Sequence, residues 1–426
     1  MEVRDPIHGA IALDPAEARV VDDPWIQRLR GIAANGFSHL PFPGATHTRY
    51  AHSLGVMHLS GLAFDQAYRD WTFTDPGARE RLRRCVRLAA LCHDLGHAPF
   101  SHCTEFAMPP LAALGLAWLP AAERRATHED YTIAILEQTG LTARIRAELP
   151  FDPLHVAALI SGEVPVSDGF FRDGGFDHRP LCSQIVSSEL DVDRMDYLVR
   201  DATFTGARYG QIEVDWLLSS LAAHPVDGQV FLALESRALY AFDHFLIARH
   251  HMFLQVYFHH KSVVYEEMLK RWVTRSDSDW RLPNDLEAYL HVDDVSVTAE
   301  LRRSPDAWAR RIVNRNPFRR VIERHGTPEE TDTVAAEEAL QAAGVEIIAA
   351  ASTGRLSRYD VVGRKRRAAK GIWVLHRMPD LPIERVEPLQ EASRVFDRYP
   401  DIRRISRIYA APEEVLRARR VLGLPA

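Results

Sequence analysis

The sequence predicts a mainly α fold with a small C-terminal α+β subdomain. Three observations predict it. Apolar residues recur at helical spacing through roughly the first 270 residues, the texture past residue 330 alternates helix and strand signals, and 426 residues exceed one compact core. The expected division is residues 1–330 for a helical core with its extension and residues 331–426 for the appended subdomain.

Taken in order, Tyr50 to Asp70 places Leu54, Met57, Leu62 and Ala63 at helical spacing. Arg84 to Leu95 repeats the pattern through Val86, Leu88, Ala89 and Leu91, with Gly96 as the expected stop. Ser167-Asp168-Gly169 through Gly174-Gly175 reads as a mobile loop close to whatever the helices surround. Ile185 to Asp201 reads as a helix, Gln229 to Leu234 as a strand, and Ala241 to Lys270 as one long helix. Beyond them come a helix near Glu337 to Ala343, an apolar run Gly371 to Leu375, a helix through Glu387 to Phe396, and an alternating stretch from Ile402 to Tyr409.

Hydrophobic residues at 46% and charged residues at 26% exclude a disordered or fibrous chain. A net charge of −6 excludes a surface built throughout to hold nucleic acid. Of 52 basic residues only Lys261, Lys270, Lys365 and Lys370 are lysine, so nearly every positive charge is a guanidinium suited to bidentate phosphate contact. The run Arg364-Lys365-Arg366-Arg367 reads as a solvated surface stretch. Cys85, Cys92, Cys103 and Cys182 form no C-x-x-C pair and read as buried thiols of a reducing compartment. With neither a signal peptide nor a run of about 20 apolar residues, the expectation is a soluble cytoplasmic protein with no membrane contact.

The most specific local signal runs from Leu91 to His102. His93-Asp94 closes an apolar helix, where an imidazole and a carboxylate cost several kcal/mol to bury without a partner. A first-row divalent ion (Fe, Mn, Co, Ni or Zn) suits that donor pair. His52 opens the upstream helix, and Asp193, Tyr197 and Asp201 fall at i, i+4, i+8 as a polar stripe with Arg194 beside it. His52, His93, Asp94 and Asp193 would leave open positions on an octahedral ion, an arrangement for catalysis.

The ordered set His52, His93-Asp94, Asp193 is the signature of the HD superfamily of metal-dependent phosphohydrolases. Its surroundings, Asp5-Pro6-Ile7-His8-Gly9, Gln27-Arg28-Leu29-Arg30, Phe42-Pro43-Gly44-Ala45, His52-Ser53-Leu54-Gly55, Thr127-His128-Glu129 and Asp191 through Asp201, resemble the deoxynucleoside triphosphate triphosphohydrolases. Within that family the chain looks like the bacterial relatives of the human SAM- and HD-domain dNTPase, without the SAM domain. The likeness runs from residue 3 to about residue 325. It implies a helical HD core and a reaction that releases tripolyphosphate from a deoxynucleoside by attack of metal-activated water on the α-phosphorus.

The same resemblance implies roles. His97 and His102 stand beside the α-phosphate with His97 as general acid, and His128 with Glu129 supports them. Arg49, Arg194 and Arg249 grip phosphates, while Tyr197, Asp201 and Tyr257 hold sugar and phosphate. Mg²⁺ or Mn²⁺ accompanies the substrate phosphates. Where family members have lysine after the last metal aspartate this chain has Arg194, and Ala34-Asn35 stands where a Gln-Leu pair contacts the sugar. Asp22, Gln27, Arg30, Arg315, Asn316 and Arg319 resemble residues that hold an activating guanine nucleotide, GTP or dGTP, in an oligomer. His8 reads as a turn or interface residue, and His250-His251 and His259-His260 as solvated or packed. The rival readings are an HD phosphohydrolase of another nucleotide, a monophosphate or phosphodiester, and a non-catalytic nucleotide- or single-stranded nucleic-acid-binding protein.

Overall fold

The computed structural model describes residues 1–425 except 117, 119–122, 167–168, 276–279, 355–370, 378–384, 394 and 396–402. It is mainly α. An N-terminal hairpin of β1 (Glu2–Asp5) and β2 (Gly9–Ala12) leads into α1 (Pro15–Val21) and α2 (Pro24–Arg28). Asp14 starts α1 with a capping box, accepting the Glu17 N–H while the Glu17 carboxylate accepts the Asp14 N–H. The body then winds through α3 (Arg49–Ala67), α4 (Ala78–Cys92), α5 (His128–Gln138), α6 (Gly140–Glu148), α7 (Pro153–Ile160), α8 (Arg179–Val186) and α9 (Val192–Thr205).

The helix α3 is buried nearly all round because it lies between α4 and α9. Val56, Met57 and Phe64 join Cys85, Val86, Leu88 and Met195 in the main core. Two glycines set the spacing. A Cβ at Gly55 would meet Asp196 Oδ1 at 2.0 Å, and one at Gly61 would meet Arg87 Nη1 at 2.8 Å. Charged groups of α9 and α4 therefore seat directly against the α3 backbone. Arg87 is itself neutralised by Glu17 through bonds of 2.6 and 2.9 Å.

Several expected elements are shaped differently. The helix through Ile185 to Asp201 breaks between Val186 and Val192, because Asp191 accepts the Ser188 and Arg194 N–H groups and starts a new helix. The long helix divides into α11 (Leu239–Met252), a π-helical turn at Phe253–Tyr257 and α12 (His260–Arg275), after the short α10 (Val214–Ser219). At the break the Tyr257 hydroxyl donates to Asp201 Oδ2 at 2.6 Å, a tertiary bond that no periodicity records. The glycine-rich stretch becomes a hairpin of β3 (Arg172–Asp173) and β4 (Phe176–Asp177), with Gly174 and Gly175 at positive φ. Asp173 ties it to Thr74 and Asp75 by three bonds of 2.8 Å, away from the main cavity. Residues 167–168 lie outside the described residues.

Past α12 come α13 (Leu286–Leu290), α14 (Asp294–Arg303) and α15 (Ala307–Val313), then strands. The strands β7 (Arg319–Gly326), β8 (Ile347–Gly354) and β11 (Arg403–Ala410) form an antiparallel sheet with β11 central. Helix α16 (Val334–Ala342) and the helix Val415–Val421 pack on it. The division expected at residue 330 runs through this sheet, since β7 precedes it. The pair β9 (Trp373–His376) and β10 (Arg385–Pro388) belongs elsewhere. It joins the sheet of β5 (Leu221–Val226) and β6 (Gln229–Glu235), β9 running parallel to β6 with Ala233 opposite Trp373. The helix expected from Glu387 shrinks to Leu389–Ala392 because its first residues extend this sheet. The basic run 364–367 and Phe396 lie outside the described residues. Among the described residues no helix is long and apolar enough to cross a membrane.

Candidate metal and phosphate site

A cavity of about 680 Å³ opens where α3, the turn after α4, the start of α5, α9 and α11 converge. All fourteen residues expected to bind metal, act in catalysis or hold substrate line it: His52, His93, Asp94, Asp193, His97, His102, His128, Glu129, Arg49, Arg194, Tyr197, Asp201, Arg249 and Tyr257.

Each reaches the cavity for a local reason. His52 stands one turn into α3. Helix α4 ends at Cys92, before the predicted stop, and the turn that follows is fixed by other chains. The carbonyls of Leu95 and His97 accept from Arg28 Nη1, the Gly96 carbonyl accepts from the Tyr289 hydroxyl at 2.9 Å, and the Gly96 N–H donates to Thr132 Oγ1. A Cβ at Gly96 would lie 2.0 Å from the His128 carbonyl oxygen, so this glycine allows a close approach to α5 and caps nothing.

The four metal candidates meet. His52 Nε2 lies 3.0 Å from Asp193 Oδ1 and 3.6 Å from Asp94 Oδ2, and His93 Nε2 lies 3.3 Å from Asp94 Oδ1 and 3.6 Å from Asp193 Oδ1. His93 Nδ1 faces the Ala90 carbonyl at 2.7 Å, which turns Nε2 to the cluster, where it is buried without a hydrogen-bond partner; burial lowers the His93 pKa, but Asp94 and Asp193 raise it overall. The second nitrogen of His52 is held by Asp196 Oδ2 at 2.8 Å. An orphaned buried imidazole nitrogen beside a second imidazole and two carboxylates, with no thiolate among them, fits a first-row divalent ion. Without that ion the charges answer one another. Burial lowers the His52 pKa, but Asp193 and Asp196 overcome it and push the imidazole up to about 10. Burial opposes ionisation of Asp94, yet Arg49 and the adjoining imidazoles hold it well below the usual carboxylate range.

Beside Asp94, His97 and His128 stack 4.0 Å apart at 14°, with His102 edge-on to both. The ring nitrogens of the three histidines lie within 4.8 Å of one another, so they can converge on one ligand, by N–H donation to an anion or by lone pairs to a cation. Glu105 anchors this wall. It accepts from His128 Nδ1 at 2.7 Å and His102 Nδ1 at 3.0 Å, while Glu129, also expected among the catalytic residues, lines the cavity from an exposed position. His97 turns its Nε2 to Asp94 Oδ1 at 3.2 Å, and burial, then Arg49 and His128, push its pKa well below the ordinary value.

The arginines are held by acids. Arg49 donates to Asp94 at 2.5 Å and to Ser101 Oγ at 2.9 Å, Arg194 pairs with Asp191, and Arg249 lies 3.5 Å from Glu189. Asp201 accepts from Tyr257 and pairs with His47 Nε2 at 2.7 Å, so both its oxygens are engaged. Six expected regulatory residues lie elsewhere. Asp22, Arg30, Arg315, Asn316 and Arg319 are exposed, Gln27 is half-buried, and none lines the cavity. Gln27 and Arg30 bond each other, and Arg30 covers the Tyr50 ring at 3.6 Å.

Sequence reasoning missed His47, Glu105, Asp196 and the cavity-lining Thr353 of β8. His8 lies in the turn between β1 and β2, as expected, and its Nε2 also meets Asp196 Oδ1 at 2.5 Å beneath the metal candidates. An acid three residues after His102 was the available signal for Glu105. Of the four thiols, Cys85, Cys92 and Cys182 are buried as expected and Cys103 is half-buried.

Comparison with known proteins places this geometry in context. Residues 49–201 match the HD domain, and residues 214–357 match the HD associated region. An uncharacterized protein of Methanocaldococcus jannaschii is 28% identical over 320 residues, covering 75% of this chain and 59% of its own. The deoxynucleoside triphosphate triphosphohydrolase SAMHD1 of Homo sapiens is 34% identical over 217 residues, covering 48% of this chain and 33% of its own. The chain thus spans less than two thirds of these relatives' length. A crystal structure of a hypothetical protein from Aquifex aeolicus superposes with a TM-score of 0.75 at 25% identity, covering 99% of both chains. A phosphohydrolase from Bacteroides thetaiotaomicron gives 0.68 at 23% identity over 96% of this chain and 99% of its own, a likeness of fold. With its His-Asp cluster inside the first matched segment and the C-terminal sheet begun in the second, the chain belongs to the HD-domain proteins.

Proposed function

We propose that the chain is a phosphohydrolase that cleaves deoxynucleoside triphosphates to deoxynucleoside and tripolyphosphate. One observation carries this reading: a single cavity joins an oxygen- and nitrogen-rich metal candidate to three imidazoles and three arginines, the complement of a polyphosphate. The relative of known activity, human SAMHD1, supports it by name.

His52, His93, Asp94 and Asp193 would hold the divalent ion, which when bound supplies charge neutralisation and lowers the pKa of a water nucleophile. The rest falls to the chain. Arg49, Arg194 and Arg249 bind phosphate oxygens, exchanging their acidic partners for ligand charge. His102, with Nδ1 fixed on Glu105, presents Nε2 as proton donor to the departing 5′ oxygen, the function first expected of His97. The bond between α-phosphorus and O5′ breaks, water supplies the oxygen that phosphorus gains, and O5′ leaves protonated. Tyr197 and Tyr257, with rings 6.2 Å apart, frame the sugar. A guanine-nucleotide activator and an oligomer belong to the same reading through the six surface residues above.

Purified protein with Mn²⁺ and each dNTP, alone and with GTP or dGTP, tests this by product chromatography. Deoxynucleoside with tripolyphosphate is expected. Orthophosphate alone, or turnover only of a monophosphate or phosphodiester, would replace the dNTP reading with the rival hydrolase. Nucleotide binding without turnover would leave a binding protein.

A further inference from the structure

The turn that presents His102 is held by a segment far along the chain. Phe100 and Ser101 both adopt φ 57, the left-handed region that side chains rarely occupy. Two consecutive residues in that state persist only where surrounding bonds over-determine them. Asp294, the first residue of α14, provides such bonds. Its Oδ1 accepts the Phe100 N–H at 2.5 Å, and its Oδ2 accepts the Ala33 N–H at 2.8 Å. Ala33 leads into Ala34 and Asn35, which line the same cavity as His102. Ser101 Oγ joins the same two stretches, donating to the Ala33 carbonyl at 2.7 Å while accepting from Arg49 Nε. Two walls of the cavity therefore meet on one carboxylate.

We propose that Asp294 is a positioning residue, whose two oxygens lock the left-handed turn to the Ala33–Asn35 stretch and so aim His102 at the substrate while holding Ser101 on Arg49. The proposal rests on the reading that this cavity is the working site. A cost to the fold supports it. Burial pushes the Asp294 carboxyl up to about 6 despite its two amide bonds; Asp293 beside it adds to the rise, and Arg28 of α2 opposes it. A carboxylate with a raised pKa weakens the folded state wherever it is ionised, so at neutral pH the charge serves geometry at the expense of stability.

The test is Asp294→Asn, which keeps the shape and one acceptor but turns an amide N–H₂ toward the other backbone N–H. Hydrogen exchange, corrected for intrinsic rates, should quicken at least tenfold at Ala33 and Phe100 at pH 7.5. Melting temperature should hold or rise, Mn²⁺ affinity should stay within twofold, and kcat should fall at least tenfold with KM shifted less than threefold. Wild-type protein should show the same quickening below pH 6, and the variant should lack that pH step. Unchanged protection of both amides, or parallel loss of melting temperature and Mn²⁺ binding, would overturn the proposal. The exchange and metal measurements decide it even if the protein hydrolyses no dNTP, and the wild-type pH series decides it if the variant fails to fold.

Discussion

His52 carries the sharpest consequence among single residues. In the ion-free protein its imidazole is pushed up to about 10, so at pH 7.5 both ring nitrogens hold protons. An ion needs the Nε2 lone pair, so binding must expel a proton. Titration calorimetry in buffers of different ionisation enthalpy should record release of at least one proton per Mn²⁺, with apparent affinity rising about tenfold per pH unit below about 10. The stability of the ion-free protein follows the opposite course. A raised imidazole pKa stabilises fully below about 6.5 and loses that contribution as pH climbs through about 10. The residues behind this were unequally legible. His93-Asp94 declared itself because a charged pair in an apolar run has few structural explanations. Asp196 and His8 stayed silent because they meet across 188 positions, and Glu105 because its two histidine partners converge only when α5 docks.

Among elements, the turn between Leu95 and Ser101 has few bonds of its own, such as the His97 N–H to Asp94 and the Ser101 N–H to Ala98, and is otherwise held by neighbouring segments. Gly96→Ala would drive a Cβ into the backbone of α5 at the His128 carbonyl and the Thr132 nitrogen. A cost of about 3 kcal/mol or more is expected, read as a lower urea midpoint with an unchanged m-value. Hydrophobic period located α3 and α4, and part of α9, since those faces are buried along their length. It overlooked the break before α9 and the π-helical turn after α11, which are set by Asp191 capping a helix start and by Tyr257 reaching Asp201. Such breaks belong to individual polar bonds, and averaging over a helical window erases them.

For the whole molecule, the division expected at residue 330 meets two sheets that cross it. Strand β7 has β11 as its partner, and β6 has β9 along Ala233–Glu235. A chain ending at Glu330 would expose both edges, and unpaired edges recruit other chains. Light scattering on a sizing column should find it aggregated, whereas a monodisperse fragment would show that the first 330 residues stand alone. The alternation of helix and strand past residue 330 was legible as composition. Which strand joined which sheet was not, because β9 pairs with a strand about 140 positions earlier.

The cavity is also a sequence of arrivals. The metal candidates are complete at Asp193, the arginine and tyrosine wall at Tyr257, and the rim only at Thr353 of β8. As the chain leaves the ribosome, all four metal candidates therefore emerge before the arginine and tyrosine wall is complete.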